Sequence, residues 1–246
     1  HIPALLPEAL EMLDIRPSGI YIDATFGGGG HSRGIAERLG PEGHLYSFDR
    51  DLDAAANVLD TPVFTFVHSN FRYIENFMRF HGVDKVDGIL ADLGVSFHHF
   101  DTTERGFSFH QDAPLDMRMD SEDSLSAYDV VNTWTEDMLN RILWDYGEER
   151  YARRITNAIL AARATKPIES TLELVDIIKS AMPAAALREK QHPAKRTFQA
   201  IRIAVNDELG AISAMMETAP DKLRVGGRLC VISFHSLEDR IVKTAI

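Results

Sequence analysis

The N-terminal part of the chain, up to Val95, alternates between short apolar runs and segments whose apolar residues have helical spacing. The apolar runs predict four strands, which are Ile20–Asp23, His44–Asp49, Val63–His68 and Val86–Asp92. Helices are expected between these strands, beginning near Ser32, Asp51 and Phe71. This alternation of strands and helices is typical of an α/β fold with a parallel sheet.

The pattern changes after Val95, where a charged connection over residues 101–120 leads into segments with helical spacing only. Apolar stripes and capping signals predict four helices there, which are Thr135–Tyr146, Tyr151–Ala162, Ser170–Pro183 and a long helix from Pro193 past Met216. Gly226–Phe234 then predicts a fifth buried strand, followed by one short helix.

Together these elements predict an α/β protein with a doubly wound, parallel-rich sheet and an inserted all-helical domain. We expect residues 1–103 and 203–246 to form the sheet domain and residues 104–202 to form the helical one. A sheet that ended on the fifth strand would leave a hydrophobic edge exposed. We therefore expect further C-terminal strands beyond Ile246, and the absence of an initiator Met leads us to expect residues before His1.

Composition restricts the class of protein. The chain has 246 residues, of which 45% are hydrophobic and 26% charged, as in ordinary soluble globular proteins. The apolar runs are far shorter than the roughly 18 residues of a membrane helix. The single cysteine, Cys230, excludes an internal disulfide and a cysteine-based metal cluster. We expect a cytoplasmic protein with no membrane partner.

The charge of the chain is unevenly distributed. Its net value of −11 argues against a uniformly basic nucleic-acid binder. Residues 187–202, however, contain five basic residues and one acidic residue. The candidate phosphate contacts are Arg188, Lys190, Lys195, Arg196 and, in a separate segment, Arg118. A solvated helix face explains a basic run equally well, and Asp116 and Asp120 are alternative partners for Arg118.

Four consecutive glycines, Gly27–Gly30, follow the first predicted strand. Residues without a Cβ let the backbone approach a ligand, and the start of the next helix offers unpaired N–H groups. The loop lacks the G-x-G-x-x-G spacing of dinucleotide folds, and no Gly-Lys-Ser/Thr follows it as in a P-loop. Asp23 beside the loop would repel a pyrophosphate but suit an ammonium group, and Asp49 could hold two ribose hydroxyls. These features favour S-adenosylmethionine, and a purely structural glycine turn is the alternative.

Longer motifs are spread along the chain. They are His1–Leu6, Asp23–Ser32, Asp49–Asp51, Asp92–Ser96, Glu104–Phe109, Pro114–Asp120, His192–Ala200 with Val205–Asn206, and Ser233–Arg240. In these segments the chain resembles the bacterial small-subunit ribosomal RNA methyltransferase H family, also called the MraW family. The resemblance covers essentially the whole sequence.

The resemblance implies a class I, Rossmann-like methyltransferase whose inserted helices recognise the substrate. The implied reaction is transfer of a methyl group from S-adenosylmethionine to the 4-amino group of a decoding-site cytosine in 16S ribosomal RNA of the small subunit. The implied cofactor contacts are Gly27 in the loop, Gly29, Gly30 and His31 on the methionine side, Asp49 at the ribose, Phe71 at the adenine, Asp92 closing the site, and His99 where the family usually has glutamine.

The acceptor side of the site is predicted from chemistry and position. Asp92 could accept hydrogen bonds from the exocyclic amine and so act as a catalytic residue, or it could contact the cofactor alone. His235 and Asp239 follow the fifth strand and are candidates for the base pocket. A Ser-His-Asp hydrolase is disfavoured because no G-x-S-x-G elbow is present, and His31, His98 and His99 without a carboxylate frame do not indicate a metal site.

Three other classes of function stay open at this point. A nicotinamide-dependent oxidoreductase would bind a dinucleotide at the glycine loop. A non-catalytic RNA-binding module would bind ribosomal RNA without a cofactor. A small-molecule methyltransferase would have little use for an extended cationic surface. The sequence also leaves open whether the chain is a monomer or a homodimer.

Overall fold

The computed structural model describes residues 2–94 and 97–246, and of Phe97 and His98 it describes the backbone alone. His1, Val95 and Ser96, which belong to predicted motifs, lie outside the described residues.

Five parallel strands form the sheet, in the order β3-β2-β1-β4-β5. Their bounds are β1 Ile20–Asp23, β2 His44–Asp49, β3 Phe64–His68, β4 Val86–Asp92 and β5 Leu223–Ile232. Each adjacent pair is parallel. The predicted α/β fold with a parallel sheet is therefore confirmed.

The α-helices are, in chain order, α1 Leu6–Leu13, α2 Gly30–Ala36, α3 Ile74–Phe80, α4 Phe97–Asp101, α5 Ala127–Thr133, α6 Glu136–Asp145, α7 Ala152–Thr165, α8 Thr171–Ala181, α9 Ala184–Leu187, α10 Lys195–Asn206, α11 Glu208–Thr218 and α12 Ser236–Ala245. Short 3₁₀ helices cover Leu52–Asn57, Phe71–Tyr73, Thr103–Arg105 and Ala219–Lys222. The chain divides into two compact units, one of residues 1–96 and 209–246 and the other of residues 97–208.

The sheet of the first unit carries a hydrophobic layer on each face. Successive residues of a strand point to opposite faces, so Tyr21 and Leu90 pack with α1 and α2, whereas Ile22 and Ile89 pack with α3, α11 and α12. Side chains in both layers are almost completely buried. This two-sided burial explains why the central strands read as continuous apolar runs.

Two predicted helices differ from the observed ones. The segment after β2 forms a 3₁₀ helix, Leu52–Asn57, instead of an α-helix. The Asp51 side chain caps its start locally, and the Asn57 amide donates to the carbonyl of the distant Gly27, so side-chain bonds replace helical continuation. The predicted long helix is broken at Asp207, whose left-handed backbone (φ 45°) ends α10. Aspartate tolerates this conformation better than most residues do.

Smaller differences concern element ends and short helices. The helix expected near Ser32 begins at Gly30, because Gly29 in the left-handed region forms its N-cap. The fifth strand starts and ends earlier than predicted. Four helices, α1, α4, α5 and α9, are not predicted, because each is too short for its apolar spacing to stand out.

The described elements of the second unit are helices. An isolated antiparallel bridge between Pro114 and Ser170 pairs the segment before α5 with the start of α8. Asn206, at the end of α10, binds the segment Met117–Met119, which lies before α5 in the chain. Its amide oxygen accepts from the Met119 N–H at 2.8 Å, and its amide nitrogen donates to the Met117 carbonyl at 2.8 Å. Because Asn206 is buried, these bonds hold the Met117–Met119 segment in place.

Replacing Asn206 with Leu should lower the free energy of unfolding by about 2–4 kcal/mol, because it leaves buried backbone groups without their partners. The midpoint of urea unfolding measures this effect. Asn157→Leu, on the exposed face of α7, is the matched control and should have little effect. Equal midpoints for the two variants would contradict the structural role of Asn206.

Candidate active site

The order of the strands reverses between β1 and β4. From β1 the sheet continues to β2 and β3, and from β4 it continues to β5. In open parallel sheets, ligands bind outside the carboxyl ends of the strands at such a switch point. Asp23 ends β1 and Asp92 ends β4, so both carboxylates lie at this point.

The glycine loop lies directly above β1. Gly27 and Gly29 have φ values of 52° and 84°, which favour glycine. A Cβ at Gly29 would also lie 3.2 Å from the Phe26 ring, whereas a Cβ at Gly28 would meet no atom within 4 Å. The loop therefore needs glycine for its own conformation at two positions and has open space at Gly28.

Asp49 fixes the loop from the end of β2. Its carboxylate accepts from the Gly27 N–H at 2.7 Å and from the Asp51 N–H at 2.8 Å. One side chain therefore joins the glycine loop to the turn that follows β2. This places Asp49 at the strand end where dinucleotide folds bind ribose hydroxyls.

Asp23 is fully buried beneath the loop. Its carboxylate accepts from the Ser32 hydroxyl at 2.5 Å and from the Thr25 N–H at 3.0 Å, and Ser32 contacts the Ser47 hydroxyl at 2.7 Å. Burial raises the pKa of Asp23, and the bonds from Ser32 and Thr25 oppose that increase. Asp23 thus supports the loop from inside the protein, which differs from the expectation that its carboxylate faces a ligand ammonium group.

Asp92 and His31 lie together at the switch point. The two side chains approach to 3.7 Å between Asp92 Oδ2 and His31 Nδ1. His31 Nε2 lies 2.8 Å from the Ala4 carbonyl, which can only accept, so Nε2 carries a proton. Nδ1 and the Asp92 carboxylate attract each other only when one of them is also protonated.

Asp92 is more accessible than its neighbours, with 21% of its side chain exposed against 5% for His31. Burial raises the pKa of Asp92, and the Glu238 carboxylate adds to this, whereas the Gly94 N–H and His31 oppose it. A partly exposed carboxylate in this position can accept hydrogen bonds from a substrate amine.

The N-terminal segment packs against the loop, a contact that the sequence pattern does not predict. A Cβ at Gly30 would lie 2.0 Å from Pro3 Cγ, so Pro3 occupies the space that a side chain would need. The bond between His31 and the Ala4 carbonyl adds a second connection. A motif that begins at His1 is visible in the sequence, but its contact with a loop 27 residues away along the chain is not.

The segment after β5 forms the other side of the switch point. Glu238 is buried and accepts from the Phe234 N–H at 3.0 Å, and its second oxygen lies 3.3 Å from His235 Nε2. Asp239, also predicted for the base pocket, pairs with Lys243 at 2.7 Å, which lowers its pKa, and its contact with a base stays a prediction. Glu238 was missed, although an acid three residues after the N-cap residue His235 is a usual capping signal.

The remaining predicted cofactor contacts are distributed as follows. Phe71 opens the 3₁₀ helix after β3 and packs, partly buried, on the core layer formed with α3. His99 belongs to the second unit, where its buried ring stacks on Phe107 with centroids 4.8 Å apart. Its contact with a cofactor stays a prediction.

The predicted RNA contacts all lie in the second unit. Arg188, Lys190 and Lys195 are exposed, and the described residues offer none of them an ion pair within 4 Å. Arg196 lies 3.7 Å from Glu189. Arg118 makes a two-pronged pair with Asp116, with a shortest distance of 2.7 Å. The intramolecular alternative for Arg118 is therefore present in the structure.

Two properties of the described residues complete the site. None of the helices has both the length and the apolar character that crossing a bilayer requires. No group of three or more His, Cys, Asp or Glu side chains in the described part of the chain is arranged to hold a metal ion.

Comparisons with known proteins give a consistent assignment. The sequence model of the MraW methylase family matches residues 1–246. A protein of Clostridioides difficile (strain 630) named ribosomal RNA small subunit methyltransferase H is 53% identical over 250 residues, covering 100% of this chain and 80% of the relative. Its namesake in Streptococcus equi subsp. equi (strain 4047) is 52% identical over 250 residues, with 99% and 79% covered.

Among solved structures, TrmN from Thermus thermophilus superposes on 39% of this chain and 29% of its own, with a TM-score of 0.33 and 22% identity. That similarity is too low to bear on function.

Replacing Asp23 with Asn removes a carboxyl whose pKa is higher in the folded than in the unfolded chain, where it is close to 3.8. The folded state holds this proton more tightly, so the stability that Asp23 contributes is greatest below pH 3.8 and declines as the pH rises through the folded-state pKa. The free energy of unfolding of Asp23→Asn, minus that of the wild type, should therefore increase with pH over that range. Urea unfolding from about pH 4 to about pH 8 measures the difference.

Asp84→Asn, at an exposed position, is the matched control for loss of a carboxyl group. A difference for Asp23→Asn that does not change with pH would contradict the buried environment described for this carboxyl.

Proposed function

Because this chain belongs to the MraW methylase family, we propose that it methylates the 4-amino group of a decoding-site cytosine in 16S ribosomal RNA, with S-adenosylmethionine as the methyl donor. The observation that carries the proposal is the placement of an open glycine loop and a partly exposed carboxylate, Asp92, at one switch point. The names of the two bacterial relatives support small-subunit ribosomal RNA as the substrate.

The loop fits a donor of this chemistry. Open space at Gly28 lets a ligand lie against the backbone, and α2 begins at Gly30 with N–H groups near a polar ligand. Asp49 stands at the strand end suited to ribose hydroxyls. We assign the donor contacts to Gly27, Gly29, Gly30, His31, Asp49, Phe71, Asp92 and His99. S-Adenosylmethionine supplies a methyl group activated by its sulfonium charge.

Asp92 has the acceptor role in this proposal. The lone pair of an exocyclic amine is delocalised into the cytosine ring, so the amine is a weak nucleophile. A carboxylate that accepts its N–H bonds localises that pair and receives the proton that the nitrogen loses on methylation. The raised pKa of Asp92 suits a group that must take up a proton. His31 lies 3.7 Å from the carboxylate on its buried side, and the Gly94 N–H donates to it.

His235 and Asp239 are assigned to the base pocket. The imidazole of His235 lies near the end of β5, with its Nε2 3.3 Å from the buried Glu238 carboxylate. Asp239 is bound to Lys243 on the same helix, so its contribution would be made as an ion pair.

The second unit is assigned to RNA recognition, over the predicted range 104–202. Arg188, Lys190 and Lys195 are exposed cations that can contact phosphates without first breaking an ion pair described in the structure. Arg196 and Arg118 would have to exchange an acidic partner for a phosphate. We therefore expect the first three to contribute most to the salt dependence of RNA binding.

Replacing Gly28 with Ala should weaken binding of S-adenosylmethionine by about tenfold, because a methyl group would fill the space against which the donor lies. The thermal unfolding of the free protein should not change, since that methyl group meets no protein atom. Calorimetric titration measures the affinity. The control is Gly40→Ala, whose Cβ would make an ordinary contact with Pro17 at 3.6 Å. Wild-type affinity in Gly28→Ala would count against the donor site.

Replacing Asp92 with Ala should lower kcat by about 100-fold or more, because the amine loses its proton acceptor. Asp92→Asn should lose less, since the amide oxygen still accepts an N–H bond. In the wild type, the acidic limb of kcat/KM, which reports groups of the free enzyme, should lie above pH 3.8, as the raised pKa of Asp92 requires. Asp60→Asn, an exposed site, serves as the control. Wild-type kcat in Asp92→Ala would exclude the acceptor role.

The reaction itself is tested with methyl-labelled S-adenosylmethionine and small ribosomal subunits from a strain that lacks the activity, followed by mass spectrometry of nucleosides. Label should appear on 4-methylcytidine and disappear in Asp49→Ala. Label on another nucleoside would refute the proposed target but would leave S-adenosylmethionine as the methyl donor. Binding of a nicotinamide cofactor in place of S-adenosylmethionine would refute the donor as well.

A further inference from the structure

Phe234 is an exposed aromatic residue beside the acidic end of β4. It has 55% of its surface accessible, although it follows a strand of the sheet and is preceded by buried residues of β5. A phenylalanine is usually buried, because exposing its ring to water is unfavourable. The sequence analysis predicts a role for its neighbours His235 and Asp239 but none for Phe234 itself.

The pairing of β4 with β5 determines where this ring lies. Asp92 is the register partner of Ile232, and the Leu93 N–H continues the pairing to the Ile232 carbonyl at 2.9 Å. Gly94 and Phe234 each come two residues after that register pair. A Cβ at Gly94 would lie 2.6 Å from the Phe234 ring, so the ring rests directly on the glycine backbone.

The same contact connects the ring to Asp92. The Gly94 N–H donates to Asp92 Oδ1 at 3.2 Å, so the residue beneath the ring also holds the carboxylate. On the other side, the buried Glu238 accepts the Phe234 N–H at 3.0 Å and fixes the backbone that carries the ring. The ring is therefore held in a defined place and is still open to solvent.

We propose that Phe234 is the platform on which the target nucleobase stacks, and that it presents the exocyclic amine of a pyrimidine to Asp92. This inference rests on the function proposed above. An enzyme that modifies a base must take it out of its stack, and an aromatic side chain replaces the lost stacking partner. The 4-amino group lies in the plane of cytosine at its edge. When the base lies flat on the Phe234 ring, its 4-amino group therefore points away from that ring and toward a residue beside it, which we propose is Asp92.

Exposure alone does not distinguish Phe234, since Phe80 at the end of α3 is 81% exposed. The distinction is its location, because Phe234 contacts the glycine that hydrogen-bonds to Asp92, whereas the ring of Phe80 contacts His81. A ring that served only to cover Gly94 would need apolar bulk and no aromatic face. Replacement by an aliphatic residue of similar size separates these two roles.

The test compares Phe234→Leu, Phe234→Tyr and Phe234→Trp in the labelling assay with small ribosomal subunits. Phe234→Leu should lower kcat/KM by at least about fivefold, while the two aromatic variants should stay within about threefold of the wild type. The affinity for S-adenosylmethionine, measured by calorimetry, should be unchanged in all three. Phe80→Leu is the matched control and should retain wild-type kcat/KM.

Each result decides between the possible roles. Provided that the wild type labels cytosine, either of two results would overturn the stacking role. One is a wild-type kcat/KM in Phe234→Leu, and the other is an equal loss of kcat/KM in the leucine and aromatic variants. If the wild type itself places no label on cytosine, the proposed function fails, and this inference fails with it. A parallel loss of donor affinity in Phe234→Leu would assign the residue to the cofactor side and also overturn the proposal.

Discussion

The buried carboxylate of Asp23 holds together the elements that meet at the switch point. It binds the Ser32 hydroxyl of α2, and Ser32 in turn contacts Ser47 of β2. It also accepts from the N–H of Thr25, whose hydroxyl accepts the Asp92 N–H of β4 at 2.7 Å. Three strands and a helix are therefore connected through one group that water does not reach. Such a fully satisfied network specifies a single arrangement, since each bond that is left unmade in the interior is costly.

This arrangement separates two kinds of acid within one small region. Asp23 and Glu238 are buried and serve the protein, since their oxygens hold backbone N–H groups and neighbouring side chains. Asp92 lies beside them but is partly accessible, so of the three it is the one that solvent reaches. The proximity of the buried Glu238 also raises the pKa of Asp92. The supporting structure thereby influences the chemistry of the exposed group.

Much of the fold could be predicted from the sequence because its signals are local. The strands are apolar runs buried on both faces, and the glycine loop is a run of one residue type between a strand and a helix. The break at Asp207 could not be predicted, because the apolar spacing continues across it and the interruption is a single left-handed residue. The 3₁₀ helix after β2 depends on a bond from Asn57 to Gly27, which is far away along the sequence.

The same distinction applies to the site. Asp49 and Asp92 end predicted strands, so the topology of a parallel sheet is enough to bring them to one edge. The roles of Pro3 and Phe234 depend on contacts across the fold, and sequence position gives no indication of them, whereas the capping contact of Glu238 is local. Pro3 and Gly30 restrict each other, because a proline ring at one position and a side chain at the other cannot occupy the same space. A side chain at position 30 would therefore need a smaller residue at position 3 or a displaced N-terminal segment.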